Sequence, residues 1–374
     1  MLKVHSKKIL TLSLPALLVV AIGDWLLGSQ SAKNDYHSFR IPHPYFHHGF
    51  LPSHHAETEW GGTAYEIRTN DHGLRDASIR KIKPSSDSTR VLLMGDSFVE
   101  GMGLPYKDTL AGFLQADLAA KGIEILNGAA VSYSPKLYHL KTRFLVEHRK
   151  LRLDTVVAFI DISDIQDELN YTTFQPDYSF SHFLQESTPY SWSNQSFFAR
   201  SLRKAKKRQQ APSNQFDFRR MADIDVWINN VDAYVDATDP KDVEKGRWEW
   251  TISPALFEDW GKDGLKLSAK HMRDLHSLCK QHNIALSIVV YPSPTQIFAN
   301  DLNSLQVVFW KDFCNEEDIP FLNLFPSFIN QRFRGPNEVY AKYFIPGDTH
   351  WNKDGHWMVA NELIRLWDLI VPES

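Results

Sequence analysis

A serine hydroxyl is a weak nucleophile until a neighbouring base removes its proton. The segment Gly95-Asp96-Ser97-Phe98 sets a serine directly after the apolar run Val91 to Met94. Near the other end, Gly347-Asp348-Thr349-His350-Trp351-Asn352 supplies a histidine with an acid two positions before it. Together they can attack a carbonyl: Ser97 as nucleophile, His350 as the base that shuttles its proton, Asp348 as the carboxylate that fixes the imidazole tautomer. The chain order is Ser, Asp, His, yet G-D-S-F is not the G-x-S-x-G elbow of α/β-hydrolases. Each residue also has a plainer reading. Ser97 can cap a helix start, and His350 can pack beside Trp351. His356 reads as a capping or packing residue of the last helix, and Asn352 as a residue tying its loop to backbone.

Such groups need a scaffold. From Arg90 onward, short apolar runs alternate with amphipathic stretches. Strands are expected at 91–94, 123–126, 155–160, 284–290 and 320–324. Helices are expected around Leu110 to Leu118, Lys136 to Lys150, Ser268 to Gln281, Leu305 to Cys314 and near Ala360 to Trp367. This rhythm predicts an α/β domain over 90–374, a parallel sheet covered on both faces. Sites in such sheets form at the carboxyl ends of strands, which is where Ser97 falls. Residues 171–265 break the rhythm and read as a mid-chain insertion. Residues 33–89 show no sustained periodicity and are expected to be an irregular lead-in packed on the domain.

The blocks in order resemble the SGNH (GDSL-type) hydrolase superfamily. Gly95-Asp96-Ser97-Phe98 is similar to its first block and Asp348-Thr349-His350-Trp351-Asn352 to its last. Asn127-Gly128-Ala129-Ala130 and Ile162-Ser163-Asp164 stand at the second and third, and Thr69 to Asp76 is similar to the lead-in of bacterial exported members. The resemblance implies a three-layer α/β/α, flavodoxin-like domain and ester chemistry. It also implies an oxyanion hole from the amides of Ser97 and of Gly128 or Ala129, with Ser163 standing where the family has asparagine. The acid stands two rather than three places before His350, a D-x-H-W form like that of the alginate O-acetyltransferase-like branch.

Composition removes other classes. A net charge of −4 offers no field for nucleic acid. Histidines 37, 43, 47, 48, 54 and 55 show no H-E-x-x-H pattern, so neither a metal nor a cofactor is expected. Cys279 and Cys314 fit no metal spacing and read as two buried thiols, with a disulfide as the alternative. Lysines 3, 7 and 8 precede an apolar stretch over 9–28. Residues 1–32 therefore read as a signal anchor, with a cleaved signal peptide as the rival. Either one exports the rest, and the anchor would hold it at the outer, periplasmic or envelope, face of the inner membrane. The basic run Arg200 to Arg208 reads as a solvated face, with an anionic membrane surface as the alternative. Gln296 is a candidate substrate contact beyond the fourth strand.

The expectation is a serine ester hydrolase acting on acyl esters, with O-acyl groups of an envelope or secreted polysaccharide as candidate substrate. Two alternatives stay open. One is an O-acetyltransferase using the same three residues, and the other is a catalytically silent partner in an envelope polysaccharide complex.

Overall fold

The computed structural model describes residues 22–24, 39–180, 246–331 and 335–371. Most of the expected anchor at 9–28 and the basic run at 200–208 lie outside them. Among the described residues no helix is long and apolar enough to cross a membrane.

The lead-in differs from its sequence expectation. It holds two antiparallel hairpins, β1 (Arg40–His43) with β2 (His47–Phe50), and β3 (His55–Trp60) with β4 (Thr63–Arg68). The second turns through Gly61 and Gly62 at φ 58° and 75°. A two-residue turn with both φ positive matches the right-handed twist of its strands, and glycine reaches that region without strain. Buried Thr58, Tyr65 and Ile67 anchor the hairpin to the domain.

The Thr69–Asp76 segment that follows is a knot of side chain to backbone bonds. Asn70 Oδ1 accepts from the amides of His72 and Leu74 at 3.0 and 3.2 Å, and Asn70 Nδ2 donates to Asp76 at 3.1 Å. Arg75, 1% exposed, donates to the carbonyls of Glu100 and Gly101 at 2.6 Å each, and to that of Leu104. Glu100 and Gly101 end the short helix that begins at Ser97. The motif therefore pins the element bearing the nucleophile candidate.

The central sheet joins β5 (Thr89–Met94), β6 (Ile123–Asn127), β7 (Thr155–Ile160), β8 (Ala285–Val290) and β9 (Phe321–Asn323), in the order β6-β5-β7-β8-β9. Every neighbouring pair is parallel. Strands buried on both faces need no alternation, and each residue of β7 is buried. The chain steps outward from β5 to β6 and back across to β7. Right-handed crossovers in opposite directions place their helices on opposite faces. The Leu110–Leu118 helix packs with Lys353–Arg365, and Pro135–Arg143 packs with Lys262–Gln281, giving two helical layers. The order reverses direction between β5 and β7, so a crevice opens outside their carboxyl ends.

Part of the expected insertion packs into this domain. Trp250 is fully buried and its indole donates to the Ile162 carbonyl at 2.8 Å, beside the carboxyl end of β7. Residues 181–245 lie outside the described ones. Cys279 and Cys314 are separate buried thiols, and burial pushes each up to about 12.

Candidate active site

The loop leaving β5 is shaped by close approach. A Cβ on Gly95 would sit 2.5 Å from Val99 Cγ2 and 3.3 Å from Phe159 Cβ, so glycine lets the Ser97–Glu100 helix fold back over this turn beside β7. Asp96 caps the Ser97–Glu100 helix, accepting from the Phe98 amide at 2.9 Å. Capping therefore falls to Asp96, and Ser97 is the first helical residue with its hydroxyl directed elsewhere. His350 Nε2 lies 2.8 Å from Ser97 Oγ, across 253 residues of sequence. His350 Nδ1 lies 2.5 Å from Asp348 Oδ1. The three residues meet at the reversal of strand order.

The Asp348–His350 loop is held from several directions. Asp348 Oδ1 also accepts from the His350 amide at 3.0 Å. Tyr340 Oη accepts from the Asp348 amide at 2.9 Å and donates to the Asp348 carbonyl at 2.7 Å. Asn352 caps the Lys353–Arg365 helix through the amides of Asp354 and Gly355, and its Nδ2 donates to the carbonyls of Lys342 and Phe344 at 2.9 and 3.0 Å. His356 is structural. Its Nδ1 accepts from the Leu110 amide at 3.0 Å, and burial holds it neutral with a pKa of about 3.

Electrostatics suits a base. Burial alone would lower the His350 pKa, but the Asp348 carboxylate outweighs it, and Asp96 and Glu100 add to the rise. Burial works against the Asp348 carboxylate, yet His350 holds its pKa below the ordinary value. With the imidazole neutral, Nδ1–H faces Asp348 and the Nε2 lone pair faces the Ser97 hydroxyl. This is the arrangement a proton shuttle requires.

Three of the four expected oxyanion donors already have acceptors in this structure. The Gly128 amide continues the parallel ladder, donating to Leu93 O at 2.9 Å. The Ala129 amide donates to Asn127 Oδ1 at 3.1 Å. The Ser163 hydroxyl donates to Asp161 Oδ1 at 2.8 Å, and the Ser163 amide reaches the same oxygen at 2.7 Å. Each group is committed before a substrate arrives. The Ser97 amide, first in its helix, has no intrahelical acceptor and is the donor at hand. Further along the Gly128 loop, the Ser132 amide, at φ 55°, has no protein acceptor among the described residues. Gln296, the candidate substrate contact, is fully buried, closing a capping box with Ser293 and donating to Ser304 and Gln306 at 3.0 and 3.1 Å.

Beneath the nucleophile lie three buried carboxyl groups. Asp96, Asp161 and Asp164 bring one oxygen each within 4.8 Å of one another, the one grouping among the described residues that could hold a cation. Protons satisfy the same need. Burial, reinforced by Asp161, pushes Asp96 up to about 8, and burial with Asp161 and Asp96 holds Asp164 well above its ordinary value. Tyr138 donates to Asp164 at 2.6 Å and Tyr291 to Asp96 at 3.1 Å.

A raised carboxyl pKa costs stability as pH climbs from the unfolded value towards the folded one. Asp161→Asn removes one charge while its Oδ1 still accepts from Ser163 and Asp164, and its amide nitrogen replaces an oxygen that has no donor among the described residues. Asp167 remains as the ion-pair partner of Arg247. Thermal unfolding should therefore show Asp161→Asn several degrees more stable than the parent at pH 8, with a smaller gain at pH 5. A midpoint at or below the parent's at pH 8 rules this out.

The sequence reading missed Trp60 and Arg247 at this end of the sheet. Tyr291 begins the stretch, running to Gln296, that the sequence places at the cleft directly after the fourth strand. Trp60 and Arg247 come from segments with no periodicity to place them.

No protein-family model matches the chain, and neither does any curated protein. Among solved structures it is similar to a catalytic mutant of Axe2, an acetylxylan esterase from Geobacillus stearothermophilus, at 12% identity and a TM-score of 0.41, covering 78% of this chain and 100% of that one. It is also similar to LAE5, an alpha/beta hydrolase enzyme from the metagenome of Lake Arreo, at 10% identity and a TM-score of 0.39, covering 78% and 99%. The psychrotrophic esterase EstA from Pseudoalteromonas sp. matches at 9% identity and a TM-score of 0.36, covering 75% and 98%. Likeness at this level decides neither activity nor substrate.

Proposed function

We propose that the protein is a serine ester hydrolase. The observation that carries this reading is the hydrogen-bonded chain from Ser97 Oγ through His350 to Asp348. In the first half-reaction Ser97 Oγ bonds to the acyl carbon while its proton passes to His350 Nε2. Asp348 stabilises the imidazolium that forms. The Ser97 amide donates to the oxygen on which negative charge develops, and that charge is where a fixed donor lowers the barrier most. The tetrahedral adduct collapses, the C–O bond to the alcohol breaks, and the alcohol oxygen takes the proton from Nε2. Water then repeats the sequence on the acyl-enzyme, releasing the acid and restoring Ser97.

The substrate class we favour is an O-acyl group on an envelope or secreted polysaccharide, met outside the cytoplasm. The charged-then-apolar residues 1–28 support export, and the D-x-H-W form supports a sugar ester. The test is turnover of p-nitrophenyl acetate by the full chain, followed by mass spectrometry of an acetylated oligosaccharide. Loss of acetyl groups with release of acetate supports the hydrolase. Acetyl appearing on an added oligosaccharide acceptor, with little free acetate, identifies a transferase instead. Absence of both reactions and of fluorophosphonate labelling in folded protein identifies a silent partner.

A further inference from the structure

The loop beyond β6 is held from the lead-in. We propose that His48, on β2, is a positioning residue for the oxyanion: its imidazole grips the Val131 carbonyl and so aims the amide on the other side of that peptide, Ser132 N–H, into the site. This rests on the hydrolase reading above.

The loop runs alongside the nucleophile. The Ala130 amide donates to the Gly95 carbonyl at 3.3 Å and the Val131 amide to Glu100 Oε2 at 2.8 Å, so its partners lie on either side of Ser97. Ser132 comes next, half-buried and at φ 55°. A serine keeps that left-handed conformation only where its surroundings hold it. Two bonds do so. His48 Nε2 lies 2.8 Å from Val131 O, and Tyr171 Oη donates to Ser132 O at 2.7 Å. A trans peptide directs its carbonyl and its N–H to opposite sides. With Val131 O turned to His48, Ser132 N–H points the other way, and it has no protein acceptor among the described residues. Fixed donors lower the barrier where negative charge develops, and this amide would be the second beside that of Ser97.

The imidazole is set up to donate. A carbonyl only accepts, so His48 Nε2 carries the proton and Nδ1 is left as acceptor. His47 Nδ1 lies 2.7 Å from that Nδ1 and donates to it. One carbonyl thus fixes the tautomers of both rings. Burial keeps His48 neutral, with its pKa lowered to about 4. The same loop ties back the His48 main chain. Tyr133 Oη donates to His48 O at 2.5 Å, and the two rings meet edge to face with centroids 4.9 Å apart. Strand β2 and the Val131–Tyr133 segment therefore clasp each other.

Three replacements in the full chain separate the donor from the ring. His48→Phe keeps the ring and loses the N–H. His48→Asn keeps a donor too short to reach Val131 O. His48→Gln carries an amide that reaches as far as Nε2. In His48→Phe and His48→Asn, kcat for p-nitrophenyl acetate should fall about 10–100-fold with KM nearly unchanged, the scale of a group misplaced by about 1 Å. In His48→Gln it should recover. Affinity for a trifluoromethyl ketone, whose adduct with Ser97 places an oxyanion on the same donors, should fall by the same factor as kcat. An unchanged kcat in folded His48→Phe, or an equal loss in all three variants, would overturn the assignment. Should the parent not turn over esters, the hydrolase reading fails instead, and the Ser132 amide resonance decides whether the clasp exists. It should move in His48→Phe and return in His48→Gln, and an unmoved resonance removes the role.

Discussion

Ser97→Ala and His350→Ala should each lower turnover of p-nitrophenyl acetate by about 10⁴-fold or more, and the double variant should fall little further. Without Ser97 no covalent intermediate forms. Without His350 the serine proton has no acceptor at 2.8 Å. Each loss disables the same step, so the effects do not add. Asp348→Asn should also lose roughly 10⁴-fold, because an amide no longer enforces the tautomer with Nε2 free. A fluorophosphonate probe gives a second readout, with labelling of the parent and none of Ser97→Ala. Turnover retained in Ser97→Ala would remove Ser97 as nucleophile and leave its contact with His350 as packing.

The largest effect on stability is expected at Glu100. Its carboxylate is fully buried and meets both terminal nitrogens of Arg40, one at 2.8 Å, while Oε2 also accepts the Val131 amide at 2.8 Å. Lys141 is buried close by, and its ammonium has no hydrogen-bond partner among the described residues but lies over the rings of Phe46, Phe50 and Tyr133. Burial pulls the Lys141 pKa down to about 7, and Glu100 opposes that fall. Glu100→Ala takes from the buried Arg40 guanidinium the carboxylate it pairs with and from the Val131 amide its acceptor. Breaking a buried pair from one side costs about 3–5 kcal/mol, and chemical denaturation should read that loss. The damage should also reach activity, since Glu100 joins the nucleophile helix, the lead-in strand β1 and the Gly128 loop. A change below about 1 kcal/mol would mean that the pair behaves as a surface contact.

The main sheet was legible because its strands are short, apolar and punctuated. Thr155 to Ile160 reads as one uninterrupted run because both its faces are covered. The meeting of Ser97 with His350 was legible from residue type and position, a serine leaving a strand and an acid–histidine pair before the last helix. The lead-in hairpins were not drawn from the sequence, although Gly61-Gly62 between Thr58-Glu59-Trp60 and Thr63-Ala64-Tyr65 carries the turn signal. The oxyanion donors could not be read there. Whether an amide is free depends on which neighbour claims it, and Leu93 O claims that of Gly128 only once β5 and β6 pair. The place of Trp250 was equally hidden, because it is fixed by one tertiary hydrogen bond rather than by any period.

The separation of 253 positions from Ser97 to His350 also sets an order in time. A ribosome adding about 5–20 residues per second delivers the histidine roughly 13–50 s after the serine. Throughout that interval the growing chain carries a serine without its base. On the proposed mechanism, a product cut short before residue 350 has no base for Ser97 and should not turn over esters.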